Sequence, residues 1–135
     1  MKKLSFIILV VALFSFIQIV ASANLVMFNA HSEGDNIVLT WQTAAENGTF
    51  EFVIQRRSVD GAFVDIDRVR AKGDNSFYTY VDEDVFAKDA HLFVYRLKMT
   101  NFNPNVPPTY SEEVAVSHNV SSVKRTWGSI KALFR

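Results

Sequence analysis

The chain has 135 residues, with 14 Lys+Arg against 14 Asp+Glu, 49% hydrophobic and 13% aromatic residues, and no cysteine. Without cysteine there is no disulfide framework, no thiolate metal site and no cysteine nucleophile. Five glycines, spread singly along the chain, leave no glycine-rich loop to cradle a phosphate.

Lys2 and Lys3 open the chain. An apolar run from Leu4 to Val20 follows, broken only by Ser5, Ser15 and Gln18, and then comes Ala21-Ser22-Ala23. A charged segment, an apolar segment and a small-x-small site form a secretory signal peptide. Residues 1–23 are therefore expected to be cleaved off and the protein exported to the periplasm, the cell surface or beyond. The competing reading, an uncleaved anchor, would need more apolar residues where the small-residue site stands. The remaining chain, 24–135, is large enough to close one core.

Gly34, Gly48, Gly61 and Gly73 recur at nearly even intervals, each beside Asp, Asn, Lys or Glu and each between apolar segments. Regular turn signals at that spacing mark a run of short antiparallel strands. The segments between them alternate. Ile37, Leu39 and Trp41 face one way and Thr40 and Gln42 the other. Phe50, Phe52 and Ile54 stand against Glu51 and Gln55, and Phe93, Tyr95 and Leu97 against Arg96 and Lys98. Seven strands are predicted, at about 25–31, 36–43, 50–57, 62–70, 76–82, 91–99 and 109–117, with Asp60-Gly61 as a hairpin turn. No helical periodicity precedes residue 119, so the expectation is an all-β, seven-stranded antiparallel sandwich over 24–118. Pro104, Pro107 and Pro108 cannot donate to a ladder, which sets 101–109 apart as a stiff loop standing off the sheets.

Val38-Leu39-Thr40-Trp41, Phe52 to Ser58 running into Asp60-Gly61, Tyr95-Arg96-Leu97-Lys98, and Tyr110-Ser111 before Val114 and Val116 together resemble a fibronectin type III-like domain across about 25–117. More narrowly, the chain is similar to the fibronectin type III-like modules in exported proteins of the Bacteroidetes and their relatives, without the type IX sorting domain that often follows such modules. The resemblance implies an immunoglobulin-like sandwich of bacterial origin with Trp41 as its core tryptophan, and places Phe93 where the family's corner tyrosine would stand. It implies little about activity.

Candidate chemistry is sparse. His31, His91 and His118 include no closely spaced pair of the kind zinc sites use, and they read as solvated strand ends. Asp82-Glu83-Asp84 lacks the glycine-containing turn of a calcium loop and reads as a solvated acidic loop. Glu112 and Glu113 are adjacent, so on a strand they would face opposite ways. No Gly-x-Ser-x-Gly turn occurs. The expectation is a protein that is not an enzyme, with no catalytic residue, cofactor or metal. Phe77 and Phe102 lie off the predicted inner faces and are the aromatics expected at the surface.

Charge is unevenly spread. Residues 24–118 hold 8 basic and 14 acidic residues, while 119–135 holds Lys124, Arg125, Lys131 and Arg135 with no acid. An acidic body argues against nucleic acid as a partner. In the tail, Ser121-Ser122 can cap a helix, and Val123, Trp127, Ile130 and Phe134 recur at i, i+4, i+7 and i+11 with Lys124 and Lys131 beside them. This predicts a short basic amphipathic C-terminal helix over 119–135. Gly128 costs it about 1 kcal/mol and so short a helix is marginal alone, so it needs a surface. Three are open to it: its own sandwich, a partner protein's groove or an anionic membrane face.

The reading that follows is an exported structural or adaptor module that makes protein–protein contacts in the cell envelope or at the surface. Val123, Lys124, Trp127, Ile130, Lys131 and Phe134 would form the partner-binding stripe. The alternative is a carbohydrate or surface-ligand binding module that uses the 101–109 and Asp82–Asp84 loops.

Overall fold

A computed structural model describes residues 22–87, 91–118, 130, 131 and 133. The described chain forms eight strands: β1 (Asn24–Glu33), β2 (Asn36–Ala45), β3 (Thr49–Ser58), β4 (Val64–Arg70), β5 (Phe77–Asp82), β6 (Leu92–Asn101), β7 (Thr109–Tyr110) and β8 (Val114–Ser117). A single 3₁₀ turn, Asp84–Ala87, leads from β5 toward β6. All pairings are antiparallel. One sheet has the order β1-β2-β5, and the other runs β4-β3-β6-β7, with β8 also on β6.

Alternation decides what each sheet buries. Ile37, Leu39, Trp41 and Tyr78 from the first sheet meet Phe52, Ile54, Phe93, Tyr95, Leu97 and Met99 from the second in one shared core. Two antiparallel sheets over a common core give the described chain its β-sandwich-like character. Trp41 is its centre, stacked on Tyr78 with ring centroids 4.9 Å apart and tilted against Phe52 at 5.7 Å. Phe77 and Phe102 are exposed as the alternation requires.

Several strand ends differ from the sequence reading. The expected last strand is two, because the chain leaves the ladder at 111–113; there Ser111 takes over the pairing, its Oγ accepting from the Leu97 amide at 2.8 Å and its own amide donating to the Leu97 carbonyl at 2.9 Å. Glu112 and Glu113 therefore lie in an irregular step and not on a strand. Phe50 is not in the core, because a bulge between Thr49 and Glu51 turns it to the end of the sheet. Ser22 and Ala23, ahead of the expected cleavage point, belong to the fold. Ala23 is buried in the core, Ser22 Oγ lies 2.7 Å from Thr109 Oγ1, and the Ser22 carbonyl accepts from Asn47 Nδ2 at 2.8 Å.

Strand direction fixes which loops share an end. Ser22, the Asn47-Gly48 turn and the 101–109 loop gather at one pole, where the Phe102 amide donates to the Gly48 carbonyl at 3.1 Å. His118 and His91 gather at the other, where the His118 amide donates to the His91 carbonyl at 2.7 Å. Asn47 and Gly48 both have positive φ, 48° and 77°. Asparagine and glycine are the residues that adopt it at least cost.

Burial also sets the alkaline limit of the fold. The Tyr78 hydroxyl is pushed up to about 12, first by burial and then by its hydrogen bond to Glu46, and Tyr80 is also pushed up to about 12, chiefly by burial. Tyr95 is raised further, by burial and by Asp82. The neutral phenol is the form the fold holds, and the unfolded chain ionises near pH 10. This contribution is complete below pH 10 and is lost as pH rises from 10 toward 12. Urea midpoints should therefore fall above pH 10, and less steeply in Tyr78→Phe than in the parent.

Candidate functional site

The residues singled out in the tail fall largely outside the described chain. Val123, Lys124, Trp127 and Phe134 lie outside it. Ile130, Lys131 and Leu133 are in helical backbone and exposed, Leu133 at 82%. The core of the sandwich runs from Ala23 to Val116 and draws on no residue after Val116 among those described.

The two loops of the alternative reading do not meet. The 101–109 loop follows the end of β6 at Asn101, while Asp82 lies against Tyr95, six positions earlier on that strand, so about 20 Å of strand separates them. Phe102 is 68% exposed and braced edge-on against Phe50 at 5.0 Å, while the Arg70 guanidinium lies 3.7 Å from the Phe50 ring centre.

Asp82 is not part of a solvated loop. It is 2% exposed, and its Oδ2 accepts from Arg56 Nη1 and, at 2.8 Å, from the Tyr95 hydroxyl. Asp82 ends β5 in one sheet while Arg56 and Tyr95 belong to the other, so this buried ion pair ties the two sheets together. Burial works against the charge of Arg56, but the hydrogen bond and charge of Asp82 outweigh it, and the guanidinium is held above its ordinary range. Desolvated pairs of this kind hold their partners in one geometry.

A second buried carboxylate has the same character. Glu46 Oε1 accepts from the Tyr78 hydroxyl and, at 3.1 Å, from Thr43 Oγ1, while Oε2 accepts from the Gly73 amide at 2.8 Å. Through Tyr78, whose hydroxyl also accepts from the Lys72 amide at 2.8 Å, Glu46 pins the connection between β4 and β5.

His118 also departs from expectation. It is 1% exposed, with Nδ1 3.1 Å from Ser32 Oγ, and its Nε2 is buried without a partner. A serine–histidine contact thus exists that spacing alone did not suggest, but no carboxylate orients the ring from its other side. His31 is exposed and lies 3.6 Å from Glu33. Among the described residues no group of three or more His, Asp and Glu is placed to hold a metal ion, and no helix is long and apolar enough to cross a membrane.

The outward face of the larger sheet is built differently. Arg57, Arg68, Arg70, Arg96 and Lys98 occupy positions that alternation turns away from the core. The Arg96 guanidinium lies 3.9 Å from the ring centre of Phe63, on the β3–β4 connection, and 4.2 Å from that of Tyr110, on β7. Its Nε donates to Gln55 Oε1 at 2.7 Å, and Gln55 Nε2 donates to Asp65 at 2.7 Å. Sequence reasoning missed this stack because it joins three strands and a loop that only the folded register brings together.

A cleft of about 400 Å³ opens between β1 and the β7–β8 step, lined by Leu25, Met27, Phe28, Met99 and Val114 with Glu112 at its rim. No known family model, curated protein or solved structure matches the chain.

Proposed function

We propose that this protein is an exported, non-catalytic adaptor: a fibronectin type III-like sandwich that presents a basic C-terminal helix to a protein partner in the cell envelope or at the surface. One observation carries the reading. Among the described residues the core cluster runs from Ala23 to Val116, and Ile130, on the apolar stripe of Val123, Trp127, Ile130 and Phe134, is 37% exposed. Apolar side chains repeating on one helical face without a core to fill are what a partner groove accepts. The strand order supports the immunoglobulin-like part. First, second and fifth strands form one sheet, third, sixth and the last strands the other, with the fourth on the outer edge beside the third. Export rests on the leader pattern of residues 1–23.

The test is affinity capture from the native envelope fraction with the parent and Trp127→Ala, with thermal unfolding measured alongside. A partner held by the parent should be reduced at least tenfold by Trp127→Ala at an unchanged melting temperature. Equal capture by both proteins would remove the adaptor reading.

A further inference from the structure

The geometry points to the outward face of the β4-β3-β6-β7 sheet as a binding surface for a carboxylate-bearing polysaccharide, with Arg96 as its anchor. This does not rest on the adaptor reading, which concerns the tail.

The argument begins with charge. Five of the eight basic residues between 24 and 118 lie on this one face, on a body that carries 14 acids. The acids that share the face are occupied. Glu51 takes Arg68 at 3.1 Å, Asp65 takes Gln55 and Arg68, and Glu113 takes Arg57 at 3.1 Å. Arg96 and Lys98, two positions apart on β6, have no carboxylate partner among the described residues. Their neighbour Tyr110 pairs in register with Lys98 and is 48% exposed. A cationic patch thus remains after every internal pair is counted.

The second part is preorganisation. Arginine on a surface ordinarily loses conformational freedom when it binds. Here two rings and the Gln55 hydrogen bond already hold the guanidinium, and the Nη edge is left to form the two parallel hydrogen bonds that suit a carboxylate. Gln55 is itself 7% exposed and anchored by Asp65, so the support behind Arg96 is rigid.

The third part selects the ligand. Val53 and Val94, the aliphatic residues nearest Arg96 on this face, are 1% and 8% exposed, and the exposed Leu92 stands four positions away at the start of β6, so the surroundings of Arg96 offer little open apolar surface to a peptide side chain or a bilayer. The face offers a flat surface with an exposed tyrosine ring, on which a sugar can stack, next to two free cations about 7 Å apart along the strand. Hydroxyl-rich, carboxylate-bearing chains match that pattern.

The experiment is calorimetric titration of the purified protein with polygalacturonate, with fully methyl-esterified polygalacturonate, polyglutamate and phosphatidylglycerol vesicles as comparisons. Binding is expected to polygalacturonate and to be lost on esterification. Arg96→Lys, which keeps the charge but not the fork or the stack, should weaken it about tenfold, and Lys98→Gln about threefold. Lys98 has no partner to lose, so that variant tests the surface even if Arg96→Lys is poorly folded by circular dichroism. Failure to bind polygalacturonate, equal binding of polyglutamate or of vesicles, or indifference to both substitutions would overturn the proposal.

Discussion

Asp82→Ala is expected to destabilise the fold by about 3–5 kcal/mol, because it leaves the Arg56 guanidinium buried without a counter-charge. Arg56 is 8% exposed and Tyr95 fully buried, so water cannot replace the lost carboxylate without the sheets parting. Two further variants separate charge from shape. Asp82→Asn keeps an acceptor for the Tyr95 hydroxyl but not the charge, and should lie between the parent and Asp82→Ala. Replacing Asp82 and Arg56 together by leucine and methionine removes both charges and should recover most of the stability, since a buried pair often contributes little over an apolar one. Urea unfolding followed by far-ultraviolet circular dichroism measures all three. A loss below about 1 kcal/mol for Asp82→Ala would mean that the cluster is hydrated and is not a tie between sheets.

Trp41→Ala should cost a comparable 3–5 kcal/mol, the usual range for emptying a large aromatic site in a core. The indole is fully buried, stacks on Tyr78 and touches Phe52, so no neighbouring side chain can swing in to fill the space without leaving its own rotamer. Trp41→Phe is the informative companion. Trp41 Nε1 is buried with no hydrogen-bond partner, and phenylalanine deletes that unsatisfied donor while keeping a ring against Tyr78. Its cost should be well under half that of alanine. Equal losses in the two variants would show that the indole nitrogen is satisfied in solution.

The strands were legible because period-2 alternation is local. Ile37, Leu39 and Trp41 announce their inward face within one segment, and the structure places all three in the core. What was not legible required two segments at once. Asp82 reads as one of three acids in a loop until Arg56 and Tyr95 are brought to it from the opposite sheet. His118 reads as a strand end until Ser32 covers it. Phe50 continues the alternation of Phe52 and Ile54, and only the bulge at the start of β3 takes it out of phase. The break at 111–113 is signalled by nothing more than Ser111, whose side chain replaces a backbone partner. Arg96 alternates correctly as an outward residue, but nothing in its own strand says that Phe63 and Tyr110 will clamp it.

The chain's path has a consequence for how the molecule could be strung between two attachments. It enters the sandwich at the pole of Ser22 and the 101–109 loop and leaves at the pole of His118 and His91. Ser22 and His118 are thus held about 30 Å apart, one strand length. Tension applied between these two ends runs parallel to the strands and shears the ladders along their length, the direction in which many hydrogen bonds must yield together. Joining the two ends by a short linker, as in a circular permutant, would have to bridge the full height of the sandwich, about nine or more extended residues.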